Sequence, residues 1–260
     1  MSQSRFEQRI FTVAERDRVQ ARLLEIAHAD RRIVAGALLG SLAQGAGDQW
    51  SDLDLSFGLA AGTDIYDVLT DWTGHMAREF DAAHLFDLPY LTSIYRVFML
   101  PSNLQVDLSF TPASDFGARG PKFKLLFGQA VERKAPPPPT PHHMFGLAVH
   151  HAVRARICVE RARYWQAEHW IAELREEALM LACRRLGLEL SEARGYDRLP
   201  SEVLAQALLT LVRSVDRDEL LRALGAAVEL LLHETGEVRG LAAKVEAQLR
   251  DLTAGDSVPD

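Results

Sequence analysis

Cysteine is scarce in this chain of 260 residues, and long apolar runs are absent. The two cysteines, Cys158 and Cys183, lie far apart and match no metal-binding or redox spacing, so the sequence fits a reducing, cytoplasmic compartment. The polar amino terminus lacks the pattern of a secretory signal, and no apolar run approaches the length of a membrane span. We therefore expect neither a signal peptide nor a membrane-spanning segment.

Several common catalytic motifs are also missing. The sequence contains no H-E-x-x-H, no G-x-S-x-G and no Walker loop. The segment Gly45-Ala46-Gly47 lacks the third glycine of a dinucleotide-binding fingerprint. The nine histidines include the pairs His142-His143 and His150-His151, but neighbouring residues on a helix point about 100° apart. We therefore expect no histidine metal site.

Positive charge is in deficit, with 29 Lys and Arg against 36 Asp and Glu and a net charge of −7. An extended nucleic-acid surface needs clustered positive charge, so we do not expect nucleic acid as a partner. The composition, 48% hydrophobic and 25% charged, is that of an ordinary soluble globular protein. The length suffices for one large core or two modest ones.

The most informative residues are Gly40-Ser41 and, after ten intervening residues, Asp52-Leu53-Asp54. On a strand, Asp52 and Asp54 point to one face while Leu53 points to the other. Asp107 lies in a similar alternating run, between Val106 and Leu108. If the two strands are neighbours, three carboxylates converge as hard oxygen ligands suited to Mg²⁺, with room for two ions. Asp107 would then be a ligand, a general base, or both.

Gly40 and Ser41 suit a different task, the binding of phosphate. Glycine lets a backbone approach a phosphate group closely, and the serine hydroxyl can donate a hydrogen bond to its oxygens. Lys122 and Lys124 are further candidates for contacts with a triphosphate or with leaving pyrophosphate. The alternative for the two lysines is an exposed strand face without a functional role.

On Gly40-Ser41, Asp52-x-Asp54 and Asp107, the chain resembles the nucleotidyltransferases of the DNA polymerase β superfamily, and most of all their bacterial branch that modifies aminoglycosides and lincosamides. The matching motifs lie within roughly residues 30 to 130. The resemblance implies Mg²⁺-dependent transfer of a nucleoside monophosphate, with ATP as the default donor, to an acceptor hydroxyl with release of pyrophosphate. A small, cationic acceptor is compatible with the net charge of −7.

The pattern of elements predicts an α/β (α+β) domain with a mixed sheet, followed by an all-α helical bundle. The prolines of segment 135–141 favour an extended linker, because consecutive prolines cannot join a helix interior. We predict a catalytic domain at 1–134, a bundle at 142–252 and a flexible tail at 253–260. The predicted strands are 33–39, 53–59, 92–100, 104–110 and 123–127, and the predicted helices are 14–31, 64–80, 144–169 or beyond, 172–186, 201–212 and 217–234.

The predicted bundle contains candidates for acceptor binding, namely Glu168, Trp170 and Glu173. An aromatic surface with carboxylates suits a polycationic sugar. The alternative is an exposed acidic face, with Trp165 and Trp170 packed in the core. Arg194 and Arg198, between the later helices, are candidates for binding the triphosphate, since arginine pairs well with phosphate. The alternative for both is surface charge without a functional role.

Two other functions remain open at this level. One keeps the chemistry but changes the acceptor to a macromolecule, a tRNA or a protein, as in toxin-like relatives. The other is a non-catalytic binding module of the antitoxin type, which the intact set of carboxylates disfavours. The identity of the acceptor, the preferred base of the NTP and the oligomeric state are not encoded in these motifs.

Overall fold

The computed structural model describes residues 10–134 and 137–253. The chain divides into two units, Met1–Pro136 and Pro137–Asp260. Residues 135 and 136 of the predicted linker, and residues 254–260 of the predicted tail, lie outside the described residues. Pro141, assigned to the linker from the sequence, is instead the first residue of a helix, because Thr140 caps that helix by accepting a hydrogen bond from the N–H of His143.

The first unit contains one six-stranded sheet. Its strands are β1 (Ile33–Leu39), β2 (Leu53–Leu59), β3 (Ala83–Tyr90), β4 (Ser93–Met99), β5 (Gln105–Pro112) and β6 (Phe123–Phe127). Their order across the sheet is β3-β4-β5-β2-β1-β6. The central pair, β2 and β5, is parallel, and the other four neighbouring pairs are antiparallel. The predicted mixed sheet is therefore confirmed.

Helices cover one face of this sheet. They are α1 (Val13–Ala29) and α3 (Ile65–Phe80), while the short α2 (Gly40–Ala43) follows β1 directly. The apolar residues of β2 and β5 point to this face, and the ring of Phe57 lies 4.8 Å from that of Trp72 on α3. Leu23 of α1 and Leu55 of β2 belong to the same core, and neither is exposed to solvent. The alternation of both strands therefore sends the intervening polar residues to the other face.

That other face carries small and polar side chains on its central strands. The hydroxyls of Ser56 on β2 and Ser109 on β5 are 2.7 Å apart, and both residues are buried. Ser93 on β4 and Thr111 on β5 form a second buried pair at 2.7 Å. Each pair satisfies two hydroxyl groups that would otherwise be costly to bury. The polar face continues toward the beginnings of β2 and β5, where the predicted carboxylates lie.

The second unit is built from helices in its described part. They are α4 (Pro141–Glu160), α5 (Tyr164–Arg185), α6 (Ser201–Leu209), α7 (Arg217–His233) and α8 (Arg239–Asp251). Ile171 and Leu174 of α5 are fully buried in one apolar core with Leu224 and Leu231 of α7. The predicted helical bundle is confirmed. None of the helices in the described part of the chain is long and apolar enough to cross a membrane.

Three elements differ from the prediction. The break between the two helices predicted over 144–169 or beyond and 172–186 falls earlier, at residues 161–163, where Ala162 adopts a left-handed backbone with φ of +53°. The predicted helix 172–186 is therefore the later part of α5. Strand β3 was not predicted, and all eight of its residues are exposed at the edge of the sheet, so its sequence shows no alternation of buried and exposed positions. Helix α8 was not predicted either, and only Ala242 and Leu249 of it are buried.

Candidate functional site

The parallel pairing of β2 with β5 brings two of the predicted carboxylates together. Asp54 is directly opposite Asp107 in the register of the two strands. Neighbouring strands in a sheet are about 4.8 Å apart, so these residues are adjacent on the polar face. Both are half-buried, whereas Leu53 and Leu108 on the other face are fully buried. The core on one side of the sheet thus fixes the position of the carboxylates on the other.

Asp52 lies just before β2 and joins this pair electrostatically. The pKa of Asp107 is raised above its usual value, first by burial and then by the negative charge of Asp52. The side-chain amide of Gln105 opposes this shift by donating a hydrogen bond of 3.0 Å to Oδ1 of Asp107. Asp107 therefore binds a proton more tightly than an ordinary carboxylate does.

Gly40 allows the carboxylate of Asp54 to lie against the backbone. The residue has a left-handed backbone, with φ of +66°, at the start of α2. A Cβ atom added at this position would lie only 2.4 Å from Oδ2 of Asp54. The structure thus gives Gly40 a role that the sequence did not suggest, which is close approach to a carboxylate. Its predicted contact with phosphate stays a prediction.

Ser41 is tied to a turn just before β2. Its hydroxyl donates to Oγ of Ser51 at 3.0 Å. The same Ser51 oxygen accepts from the N–H of Asp48 at 3.0 Å, and the Ser51 hydroxyl donates to Oδ1 of Asp48 at 3.1 Å. Oδ1 of Asp48 also accepts from the N–H of Trp50, and this bond is the largest cause that lowers the pKa of Asp48. The spacing Asp48-x-x-Ser51, typical of such a turn, is the signal that sequence reasoning missed.

Arg16 of α1 also contacts this turn and was not predicted. Its Nη1 donates to the carbonyl oxygens of Asp48 at 2.7 Å and Ser51 at 2.9 Å. Only 4% of the residue is exposed. Arg16 shares the core-facing side of α1 with Val19 and Leu23, and a charged residue at such a position was the available signal in the sequence.

The structure does not bring Lys124 to the carboxylates. Lys124 of β6 pairs with Leu38 of β1, and Leu38 pairs with Leu55 of β2. Residues that pair across a sheet share a face, so Lys124 lies on the face that carries the apolar core, opposite to Asp54. Lys122 precedes β6 and is half-buried. Of the two lysines, only Lys122 keeps the prediction of a phosphate contact.

The two predicted arginines lie in the second unit, between α5 and α6. Arg194 is exposed and forms ion pairs with Glu189, at 3.3 Å, and with Glu192. Arg198 is exposed in a short 3₁₀ turn, Tyr196–Arg198. Their assignment to the nucleotide triphosphate stays a prediction, and the pairs of Arg194 fit the alternative of surface charge.

Trp170 of α5 is the centre of a cluster of aromatic and basic side chains. Its ring is 4.8 Å from that of His169 and 5.3 Å from that of His151, and the guanidinium of Arg154 lies over it at 5.8 Å. Trp170 is half-buried and packs against the core of this unit. In contrast, Trp165 is 76% exposed, so the alternative that placed both tryptophans in the core is wrong for Trp165.

Three polar atoms of α4 and α5 are buried without a hydrogen-bond partner among the described residues: Nε1 of Trp170, Nδ1 of His151 and Oε2 of Glu177. Only 8% of Glu177 is exposed, and burial, followed by the charges of Glu176 and Glu173, raises its pKa to about 7. Burial lowers the pKa of His151, while the charge of Glu173 opposes that shift. Glu173 is half-buried on α5, and Glu168 lies one turn or more before it on the same helix. Glu177 thus combines deep burial, an oxygen without a hydrogen-bond partner among the described residues and a raised pKa. The candidates chosen from the sequence, Glu168, Trp170 and Glu173, are its neighbours on α5.

The predicted metal ligands are close but do not form a ready-made metal site. Among the residues that the structure describes, no group of three or more His, Cys, Asp or Glu side chains is arranged so that it could hold a metal ion. The donor set of Asp52, Asp54 and Asp107 fits a hard cation such as Mg²⁺, because all three offer carboxylate oxygens.

Among known proteins, similarity is found with solved structures. No protein-family model matches the sequence, and no curated protein sequence matches it. Among solved structures, the chain is similar to the crystal structure of an aminoglycoside 6-adenyltransferase from Bacillus subtilis. The identity is 15%, the TM-score is 0.40, and the match covers 93% of this chain and 98% of that chain.

Proposed function

We propose that this protein transfers a nucleoside monophosphate, AMP from ATP in the first instance, to a hydroxyl group of a small antibiotic-like acceptor. Aminoglycosides and lincosamides are the acceptors we would test first, and pyrophosphate is the second product. The observation that carries the proposal is the register of β2 with β5, which makes Asp54 and Asp107 neighbours beside Gly40.

Asp52, Asp54 and Asp107 are the residues that would hold Mg²⁺. When bound, Mg²⁺ would neutralise charge on the triphosphate and on the groups that react. The amide of Gln105 holds Oδ1 of Asp107, so we assign Oδ2 to the substrate side. We assign to this oxygen the role of accepting the proton of an attacking hydroxyl, because burial raises the pKa of Asp107 in the metal-free protein.

Ser41 and Gly40 support the binding of a phosphate group at the beginning of α2. The Ser41 hydroxyl now donates to Ser51, and a rotation about its Cα–Cβ bond would allow it to donate to a phosphate oxygen instead. Ser51 would keep its bonds to Asp48, so the turn would not lose its shape. Ser41 would therefore exchange the Ser51 oxygen for a phosphate oxygen as its acceptor, with little loss of hydrogen bonding.

A cationic acceptor is supported by charge and by the polar groups of α5. Glu173 and Trp170 lie on the same helix as Glu177, whose carboxyl group is buried without compensation by a positive partner at Oε2 among the described residues. A bound ammonium group would favour the charged form of such a carboxylate and would form charge-assisted hydrogen bonds with its neighbours. The net charge of −7 also favours the approach of cations.

The test is an acceptor panel with the full chain, Mg²⁺ and each of the four common NTPs. Aminoglycosides, lincosamides, nucleosides, RNA and protein are offered in turn, and pyrophosphate release is measured together with the mass of the acceptor. We expect a small acceptor to gain one nucleoside monophosphate. We expect Asp54→Asn to lower kcat by about 10³-fold, whereas Asp67→Asn, an exposed aspartate on α3, leaves it unchanged.

Each other result of this panel contradicts the proposal in a defined way. Full activity of Asp54→Asn would refute the mechanism. Labelling of RNA or protein alone would show that the acceptor is a macromolecule. Binding of Mg·ATP without turnover on every acceptor would show a binding module.

A further inference from the structure

The turn between α2 and β2 connects Ser41, the candidate for phosphate binding, with Asp52, a candidate metal ligand. Ser41 contacts it through the side chain of Ser51, and Asp52 follows Ser51 directly in the chain. The carbonyl oxygen of Ser51 belongs to the peptide group that joins Ser51 to Asp52. The shape of the turn therefore sets the position of Asp52 relative to Ser41.

Most hydrogen bonds of this turn are internal to it. They join Asp48 with Trp50 and with Ser51 over two or three residues and hold its local shape. Such local bonds do not fix the orientation of the turn relative to the sheet. For that, a group anchored in the core of the unit is needed.

Arg16 is such a group. Its helix is anchored by Val19 and Leu23, which are buried in the core of the first unit. Its Nη1 donates to the carbonyls at both ends of the turn, those of Asp48 and Ser51. One planar guanidinium nitrogen thus holds both ends at once, in a geometry that few other side chains can reproduce.

The burial of Arg16 has a cost that this contact offsets only in part. Nε of Arg16 has no hydrogen-bond partner within the described residues, and the carboxylate of exposed Asp17 lies 3.8 Å away. An apolar residue of similar length would fill the same place beside Val19 without burying a charge. An arginine in this place is therefore better explained by the two carbonyl groups that it holds than by packing.

We propose that Arg16 is a positioning residue, which holds the Asp48–Ser51 turn so that Asp52 and Ser41 face the same substrate. This inference rests on the proposed nucleotidyl transfer for its effect on activity, but the contact itself is independent of any substrate. Arg16 does not touch the reacting groups. It acts through the Ser51–Asp52 peptide group.

The test compares Arg16→Met and Arg16→Lys with Arg18→Met, which changes an exposed arginine on the same helix. Hydrogen exchange is measured by mass spectrometry on the full chain without nucleotide. We expect amides of residues 44–53 to exchange about tenfold faster in Arg16→Met than in Arg18→Met, because the turn loses both hydrogen bonds from Arg16 and opens more often. Amides of α3 and β5 should exchange at the wild-type rate.

The second readout is the kinetics of pyrophosphate release with Mg·ATP. We expect Arg16→Met to lower kcat by about tenfold to hundredfold while KM for ATP stays within about threefold, because the carboxylate is misplaced rather than removed. Arg16→Lys should recover part of the loss, since an ammonium group can donate to both carbonyls. Arg16→Lys also serves as the test if Arg16→Met does not fold.

Two outcomes would overturn the inference. One is faster exchange spread evenly over the first unit with an unchanged kcat, which would make Arg16 a stability residue only. The other is exchange of residues 44–53 at the same rate in both methionine variants. If the wild-type protein released no pyrophosphate, the proposed function would fail, while the exchange contrast would still decide whether Arg16 holds the turn.

Discussion

Gly40 and Gly45 form a matched pair that tests the site without removing a functional group. Both have a left-handed backbone, with φ of +66° and +69°. Alanine at either position costs about 1–2 kcal/mol of backbone strain. Around Gly45, no atom of the described residues other than Gly45 and its two chain neighbours lies within 4 Å of an added Cβ, whereas at Gly40 the Cβ would lie 2.4 Å from Oδ2 of Asp54. Among the described residues, the two added Cβ atoms therefore differ in their contact with Asp54.

The size of the effect follows from that contact. Cβ atoms essentially never approach other heavy atoms within 3.0 Å, so the carboxylate of Asp54 must move by at least about 0.6 Å in Gly40→Ala. The end of a short side chain can make this shift at little cost in stability. A displacement of about 1 Å in a catalytic group costs about 100-fold in rate. We expect kcat of Gly40→Ala to be about 10- to 100-fold below that of Gly45→Ala, with similar melting temperatures.

The assay is pyrophosphate release at saturating Mg·ATP and acceptor, with thermal unfolding followed by circular dichroism. Because the effect passes through Asp54, the addition of Gly40→Ala to Asp54→Asn should lower kcat no further. Equal kcat values for the two alanine variants would refute the reasoning. So would a full additional loss in the double variant.

Two further predictions concern buried carboxyl groups. In the metal-free protein, the pKa of Asp107, measured by NMR, should lie above its usual value of 3.8, chiefly because of burial. It should fall in Asp52→Asn, because the negative charge of Asp52 also raises it. No change in Asp52→Asn would contradict the coupling. Glu177 binds its proton more tightly in the folded chain than in the unfolded chain, so the free energy of unfolding decreases as pH rises from 4.5 to about 7. At about 1.4 kcal/mol per pH unit, the total decrease above that range is about 3 kcal/mol. In urea unfolding we expect Glu177→Gln to gain about 2 kcal/mol more over wild type at pH 8 than at pH 5. Glu202→Gln, at an exposed position on α6, should show no such difference. A gain in Glu177→Gln that is independent of pH would point to packing instead of charge.

Residue patterns with one buried face predicted most of the first unit. The alternation of Leu53, Leu55 and Phe57 with polar residues is a direct record of a sheet with one apolar face, so β2 was predicted with its observed bounds. Strand β3 could not be predicted in this way, because its two faces are exposed and only its pairing with β4 makes it a strand. A buried face requires a regular pattern of apolar residues, whereas backbone pairing at the edge of a sheet requires no particular residue types.

The site was predictable only in part for a related reason. The residue types at Asp52, Asp54 and Asp107 are enough by themselves to suggest a shared cation. Their register does not follow from the sequence, since it depends on how two distant strands pair. Lys124 was selected for its charge, yet its pairing with β1 places it on the other face of the sheet. Arg16 escaped notice because its partners are backbone carbonyls, which any residue could supply.

The parallel pairing of β2 with β5 also affects the order in which the sheet assembles during folding. Parallel strands cannot be joined by a tight hairpin, and here α3, β3 and β4 lie between the two. Asp54 and Asp107 become neighbours only when β5 pairs with β2 across this long intervening segment. Contacts between residues that are distant in the sequence form slowly. A chain emerging from the ribosome therefore carries Asp54 on a strand that can pair with β1 alone until β5 has been synthesised, and the assembly of the site coincides with the completion of the sheet.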